Sequence, residues 1–374
     1  MKKRTVAALL LIPLLTGCAL PAAERREVEQ LRVIQTLGAD YAPEGLRLSL
    51  AAAAPPGVGE PEPCLSGSGR NFSAALEQIR ARSVEEELFT GHVRAMLLGE
   101  EAAVRGLGDL LGTVCRSADL RLDMPLYLVR DGTAEELMNG VGSGGRGVTE
   151  ILQAAELRTE RQRGRRGGTA AELLRSLSRS GGGLLPALRY EQASESEGRT
   201  AAPAGLGVIK DGKLLAWIEE GDCLGADLLR GSCGSRELSV RDLQGLPASL
   251  ELQRGETRLV PVWNEDGSLR GVDVLARVRA AVLETAADSD EGGALYDDYL
   301  TAQLEAAISE TLSRVLSLER QLALDFLDLG SRLELAAPTP WRALGQPFGA
   351  LLPALEISIT VRGELSHRYD AKEA

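Results

Sequence analysis

The residues with the clearest potential for chemistry stand at the start of the chain, around Cys18. Leu15, Thr16 and Gly17 precede this cysteine, so an apolar residue and two small ones lead directly to a thiol. Small residues let a chain lie extended in a peptidase site, and the thiolate form of cysteine is a nucleophile. The arrangement is similar to a bacterial lipobox, which implies that Cys18 takes a diacylglyceryl group and becomes the first residue of the mature chain.

The segment before Cys18 has the layout of a secretory leader. A positive start of Lys2, Lys3 and Arg4 is followed by an apolar run over residues 6–15. A helix that spans a bilayer needs roughly 20 apolar residues, so this run is too short to be one. Together with Cys18 the pattern resembles the bacterial lipobox, and the alternative is an ordinary leader with a chance cysteine. We therefore expect residues 1–17 to be a lipoprotein signal peptide.

The charge of the chain restricts its partners. Lys and Arg number 42 against 54 Asp and Glu, a net charge of −12, and removal of the leader leaves −15. Binding to nucleic acid needs a basic face, so the balance argues against that class of partner. It also predicts that the body does not adhere electrostatically to an anionic bilayer. No other stretch is long and apolar enough to span, so membrane attachment would depend on the acyl chains and the body would lie outside the membrane.

Four further cysteines, Cys64, Cys115, Cys223 and Cys233, leave two alternatives open. Cys223 and Cys233 are ten residues apart among glycines, and an exported protein could join them in a disulfide. The other alternative is that the thiols are free and buried. Zinc is disfavoured because the chain has neither a Cys-x-x-Cys pair nor a histidine near these residues.

Catalytic arrangements are scarce. The chain has two histidines: His367 lies near the terminus, and His92 is predicted to be a hydrogen-bonded structural residue at a break between a helix and a strand. The glycine-rich stretch 142–147 is predicted to be a flexible linker, because no strand precedes it as a phosphate-binding loop requires. Adjacent acids such as Asp297 and Asp298 are typical of solvated helix faces. We predict no catalytic, cofactor or metal site.

Helices and strands alternate along the chain, which indicates an α+β or mixed α/β fold with mixed sheets flanked by helices. Asp211-Gly212 and Asp266-Gly267 each separate two apolar runs and predict tight hairpins. The strongest helix covers residues 295–324, where apolar side chains recur three or four residues apart: Leu300, Leu304, Ile308, Leu312 and Val315. A polar stretch near residue 198 predicts a boundary between regions 18–198 and 199–374. The second region is open to a further division into 199–270 and 271–374.

Other segments are predicted more locally. Residues 51–69 are rich in Ala, Pro and Gly and indicate a loop. A helix capped by Asn71 or Ser73 is expected to run to about Glu87. One helix or helical turn is expected over residues 99–111, and an alternating terminal strand is expected to end at Gly363.

The order of these segments resembles the Ger(x)C family, the C-subunit lipoproteins of spore nutrient germinant receptors. The similarity follows Cys18 with a strand that ends in Gly-x-Asp (Gly38 and Asp40) and with a Phe-x-Gly-His segment around Phe89 and His92. Further matching segments are residues 69–76, 99–103, 115–121, 205–217 and 325–330, and Trp341. Two departures stand out: Ala19-Leu20 replaces Trp-Asp after the lipidated cysteine, and Asp328 replaces a glycine.

The resemblance implies a non-enzymatic, lipid-anchored subunit on the outer face of the spore inner membrane. It implies two integral-membrane partners, the A and B receptor subunits, which sense nutrients and trigger germination, and a fold of two or three mixed domains. Docking of these partners near Gly91-His92 and residues 325–330 is a hypothesis, with an internal structural role for both segments as its alternative. The rival class is a solute-binding or other extracytoplasmic lipoprotein, for which aromatic content of 3% offers little material.

Overall fold

The computed structural model describes residues 31–52, 64–83, 86–140, 147–163, 168–194, 198–284 and 294–367. It has two mixed sheets flanked by helices, which confirms the expected fold class. Cys18, the leader and residues 142–146 of the glycine-rich stretch lie outside the described residues.

The first sheet is built around four parallel strands. Its strand order is β3-β2-β1-β5-β6-β7-β8-β9, with β4 paired to β1. β1, β5, β6 and β7 are parallel, and antiparallel strands extend the sheet on both sides. The strands are β1 (Leu31–Ala42), β2 (Gly45–Ala52), β3 (Leu65–Gly69), β4 (Glu87–Phe89), β5 (Ala95–Gly99), β6 (Leu126–Val129), β7 (Gly182–Ser194), β8 (Gly198–Lys210) and β9 (Lys213–Ile218).

Helices cover both faces of this sheet. They are α1 (Phe72–Arg82), α2 (Glu100–Arg105), α3 (Gly108–Arg116), α4 (Ala134–Gly140), α5 (Val148–Arg163) and α6 (Ala170–Ser180). On β5, Met96 and Leu98 belong to one apolar cluster, whereas Leu97 belongs to another. A strand buried on both faces has apolar side chains at successive positions, as β5 and β6 do.

The second sheet has the order β10-β12-β13-β14, with β11 also paired to β12. Its strands are β10 (Ser232–Cys233), β11 (Arg236–Arg241), β12 (Pro247–Trp263), β13 (Leu269–Glu284) and β14 (Glu356–His367). The helices of this half are α7 (Cys223–Leu229), α8 (Ala294–Leu322), α9 (Leu329–Ala336), α10 (Pro338–Trp341) and α11 (Phe348–Leu351). β14 is parallel to β13, so the chain must cross over between them, and α8 lies in that crossover.

The predicted apolar stripe of α8 forms the core of this half. Leu300, Leu304, Ile308 and Leu312 are fully buried, and Val315 is 1% exposed. Leu184, Leu206 and Val208 of the first sheet belong to the same apolar cluster as α8, and Arg130 pairs with Glu219 at 2.8 Å. One apolar cluster therefore joins part of the first sheet to the second sheet.

Strand pairing continues across residue 198, because β7 and β8 pair on either side of it. The chain leaves the first sheet after Ile218. A boundary at 198 between independently folding units stays a prediction.

Several local predictions were wrong at element ends, and close packing explains them. Residues 51–69 include the end of β2 and all of β3. A Cβ on Gly69 would lie 2.6 Å from the backbone nitrogen of Ala75, so glycine there lets α1 approach an edge strand. Gly363 lies inside β14 for a similar reason: its amide donates to Glu305 Oε1 of α8 at 2.8 Å.

The helix expected to reach Glu87 ends at Arg82. Residues 99–111 form parts of two helices, α2 and α3, because Gly106 adopts a φ of +136° that interrupts the helix. Both predicted hairpins are confirmed: Asp211 and Gly212 have φ of 49° and 79°, and Gly267 has a φ of 82°.

We predict that Gly225→Ala destabilises the fold, because its Cβ would lie 2.5 Å from the carbonyl oxygen of Thr311 on α8. Overpacking of this kind costs about 1–3 kcal/mol. Gly221→Ala is the control, since its Cβ would meet no heavy atom within 4 Å. Urea unfolding followed by circular dichroism measures both variants, and equal midpoints would contradict close packing of α7 on α8.

Candidate functional site

The parallel strands of the first sheet begin at one edge, which we call the amino edge. Register places Thr36 of β1 beside Ala95 of β5, and Met96 of β5 beside Leu126 of β6. The residues at the start of β1 and β7 and those just before β5 and β6 therefore share the same edge: 31–33, 182, 91–94 and 123–125. The first described residue, Leu31, thus lies on the same side of the sheet as the Gly91-His92 segment.

His92 is exposed at the amino edge, so the prediction of a hydrogen-bonded structural histidine was wrong. Its ring packs edge-on against Phe89 with centroids 5.4 Å apart. Phe89 ends β4, and a Cβ on Gly91 would meet the same ring at 2.8 Å. Glycine at position 91 therefore leaves space for the phenyl ring, and the turn presents the imidazole to solvent.

A groove of about 520 Å³ borders this turn, and we call it the His92 groove. Its lining includes Arg121 and Asp123, which form an ion pair at 2.6 Å, and Leu157 of α5. The guanidinium holds the pKa of Asp123 below its usual value. Leu157 is 53% exposed, so an apolar side chain and a fixed ion pair lie side by side in the groove.

The second segment singled out by the sequence, residues 325–330, is mostly buried and acts as a helix cap. Asp325 is 3% exposed and accepts hydrogen bonds from the amides of Leu329 at 2.7 Å and Gly330 at 2.8 Å. These amides are free donors in the first turn of α9, and a carboxylate satisfies them. The Asp325 side chain therefore holds the start of α9.

A second buried acid faces Asp325. Glu319, in the last turn of α8, is fully buried and accepts from the amide of Leu327 at 3.0 Å. Burial and the neighbouring Asp325 carboxyl raise the pKa of Glu319 well above its usual value, and burial raises the pKa of Asp325 to about 6. Two carboxyl groups in one buried site cannot both ionise cheaply, so burial beside Asp325 favours the protonated form of Glu319.

Asp328 adopts the left-handed conformation that favours glycine, with φ 59° and ψ 37°, at the cap of α9. The resemblance expects glycine at this position, and aspartate is one of the few other residues that tolerate this backbone. Asp328 also accepts from Ser331 and lies 3.6 Å from Arg179 of α6. The replacement therefore keeps the turn and adds an ion pair between the two halves.

A groove of about 670 Å³ lies between α6 and the segment that follows α8, and we call it the Trp341 groove. Trp341 and Phe348 pack in it with ring centroids 5.7 Å apart, and Leu335 on its rim is 83% exposed. Gly181 and Lys210, which flank the start of β7, also line it. The Trp341 groove and the His92 groove therefore both border the amino edge.

Other segments of the resemblance also have structural roles. Asp40 is buried and accepts from the amides of Ala134 at 2.7 Å and Glu135 at 3.0 Å, so it caps α4 as Asp325 caps α9. A Cβ on Gly38 would lie 2.7 Å from the sulfur of Met138, so glycine there admits α4. Asn71 caps α1 as predicted. His92 differs from Asp40 and Asp325 in that its side chain is presented to solvent.

The cysteines show no reactive arrangement in the described ranges. Cys223 and Cys233 are buried in one apolar cluster without a disulfide between them, and burial raises the pKa of Cys233 to about 12. Within the same ranges no three His, Cys, Asp or Glu side chains cluster as a metal ion requires. No helix there is both long and apolar enough to cross a bilayer.

Sequence reasoning missed Glu319, although the chain carries a signal for it. Glu319 lies four residues after Val315, so it continues the stripe of Leu300 to Val315 as a charged residue on an apolar face. An acid in such a stripe is rarely buried unless it is paired or neutral.

We predict that stability falls as pH rises through about 6, because the folded chain keeps protons on Glu319 and Asp325 that the unfolded chain releases near pH 4. The Asp325 shift alone corresponds to a loss on the order of 2–3 kcal/mol between about pH 4 and pH 7. Glu319→Gln, whose amide can donate to Asp325, should flatten this dependence.

Glu310→Gln is the matched control, since Glu310 lies on the exposed face of the same helix. Denaturant midpoints between pH 4.5 and 8 give the dependence for each variant. An equal slope for both variants would show that the buried pair does not titrate as described.

Comparison with known proteins agrees with this architecture. Residues 24–190 match the family model "Spore germination protein N-terminal domain", and residues 204–368 match "Spore germination B3/GerAC like, C-terminal". The crystal structure of the GerBC protein shares the fold, with a TM-score of 0.55 and 15% identity over 88% of this chain and 96% of that one. No curated protein matches. Since the two models cover most of the sequence, this chain belongs to the Ger(x)C family of spore germination proteins.

Proposed function

We propose that this chain is a lipid-anchored, non-enzymatic subunit of a spore nutrient germinant receptor, held through Cys18 on the outer face of the spore inner membrane. The family membership supports a role in germination. The observation that carries the membrane arrangement is the position of Leu31, which enters the body at the amino edge, the same edge that both grooves border.

Cys18, the proposed anchor, is close in sequence to Leu31, which lies at the amino edge. Residues 18–30 separate Cys18 from Leu31 and can span at most about 45 Å when fully extended. An acylated Cys18 would therefore keep the amino edge within reach of the membrane, and with it any membrane-embedded partner. Each buried methylene of the acyl chains contributes about 0.8 kcal/mol to attachment.

The grooves at this edge suit contacts with proteins. Leu335 is 83% exposed beside the aromatic pair of Trp341 and Phe348, and Leu157 is 53% exposed in the His92 groove. Exposed apolar side chains beside aromatic rings are typical of the centre of a binding surface, and charged pairs are typical of its rim. We propose that the two integral-membrane receptor subunits, A and B, dock here.

The non-enzymatic role rests on how the titratable groups are used. Glu319 and Asp325, two carboxyl groups whose pKa values burial raises, lie at the junction of α8 and α9, where Asp325 holds the start of α9. His92 faces solvent and packs on Phe89. The groups that could do acid–base chemistry are thus occupied with structure or are separated from each other.

Cys18→Ala is expected to abolish membrane attachment, because the substituted residue has no thiol to acylate. In extracts of the native host, wild type should enter the detergent phase of a phase separation and the variant should remain in the aqueous phase. Cys115→Ala, at an exposed cysteine, is the control and should partition like wild type. Wild type in the aqueous phase, without lipid in its mass spectrum, would end the proposal.

Leu335→Asp is expected to lower recovery of the membrane subunits with this chain by about tenfold, because it places a charge in the Trp341 groove. Leu295→Asp is the matched control: Leu295 is 77% exposed, about 40 Å away at the other end of α8. Affinity purification from solubilised spore membranes measures both. Equal recovery of the two folded variants would exclude this groove, and a thermal shift with a nutrient would favour the solute-binding alternative.

A further inference from the structure

The outer face of the second sheet concentrates positive charge on an acidic protein. Five exposed arginines lie on β12, β13 and β14. Their side chains project from the face of the sheet opposite the face that α8 covers. We call this set the arginine face: Arg254 and Arg258 on β12, Arg277 and Arg279 on β13, and Arg362 on β14.

Strand register brings these side chains together. Arg277 is the direct neighbour of Arg362 across the parallel pair of β13 and β14, and Arg254 is the neighbour of Arg279 across the antiparallel pair of β12 and β13. Adjacent strands lie about 4.8 Å apart, so the guanidinium groups project from neighbouring positions. Like charges placed directly opposite each other destabilise a sheet.

The nearby acids compensate only part of this charge. Glu256 pairs with Arg254, and Glu364 pairs with Arg279 at 2.8 Å. In the described part of the chain, Arg258, Arg277 and Arg362 have no carboxylate within 4.0 Å. Glu256 also lies opposite Arg277 in the strand register, so five arginines and two glutamates leave this group with a net charge of about +3 on a protein whose net charge is −12.

The shape of the arginine face suits binding to an extended surface better than binding to a small enclosed ligand. A basin of about 510 Å³ lies over Arg277, Arg279 and Arg362, and the exposed Leu275 lies beside it on β13. Guanidinium groups bind phosphate oxygens in bidentate pairs, and they do so across a flat array as well as in a cleft.

We propose that the arginine face binds the phosphate headgroups of anionic phospholipids in the membrane to which the chain is anchored. The proposal rests on the proposed anchor, because a tether keeps the face at a high local concentration near the bilayer, where weak contacts count. An anionic leaflet attracts basic clusters within about a Debye length, so the local charge decides the attraction. The proposal departs from the expectation, based on net charge, that the body does not adhere to an anionic bilayer.

The test uses the mature-length chain, residues 18–374, with Cys18→Ala, so that lipid attachment does not contribute. It should sediment with vesicles of phosphatidylglycerol and phosphatidylcholine at low salt, and not with phosphatidylcholine vesicles or with either at 0.5 M NaCl. Adding Arg277→Glu and Arg362→Glu should reduce binding at least about 30-fold. Arg277→Gln with Arg362→Gln should give a smaller loss.

Arg175→Glu with Arg342→Glu is the charge-matched control, because both are exposed arginines without an ion pair in the described residues and lie off this face. It should bind like the parent chain. Absence of binding to anionic vesicles would overturn the proposal, and so would an equal loss of binding in control and test variants. Binding of millimolar inorganic phosphate without binding to vesicles would also overturn it. Because acylation is absent throughout, these outcomes are independent of the Cys18 experiment.

Discussion

The buried carboxylate of Asp325 is the interaction on which the junction of the two halves depends. It accepts two amides of α9, touches the space that Gly330 leaves, and faces Glu319 at the end of α8. The turn that leads away from α8 is thereby fixed against the first sheet, where Leu324 packs on Gly182. This arrangement also shapes one side of the Trp341 groove, because many of the residues that line the groove belong to the segment that follows α8.

Local chemistry made much of the fold predictable. Asp211-Gly212 and Asp266-Gly267 specify their hairpins because both need positive φ, and the stripe of α8 specifies a buried helix face. The edge strand β3 and the continuation of β14 beyond Gly363 were not predictable in this way. Gly69 is required by the close approach of α1, and the amide of Gly363 donates to Glu305 of α8; both helices are partners distant in sequence.

The candidate site was predictable in part for the same reason. The resemblance pointed to segments that matter, yet the structure divides them by burial: Asp40 and Asp325 cap helices inside the protein, whereas His92 faces solvent. A sequence motif alone does not distinguish a buried residue that caps a helix from an exposed residue that contacts a partner. Glu319 shows the converse: its position on an apolar stripe is a signal of a buried acid, although sequence reasoning missed it.

The net charge of the whole sequence is a poor guide to the charge of a single surface. A net charge of −12 describes the far field of the chain, but a contact is made within about 10 Å, where screening leaves local charge dominant. Arg277 and Arg362 are 85 residues apart in sequence and become neighbours through the register of a parallel pair that α8 makes possible. The long crossover thus does two things: its apolar stripe builds the core on one side of the sheet, and the register it permits assembles the arginine face on the other.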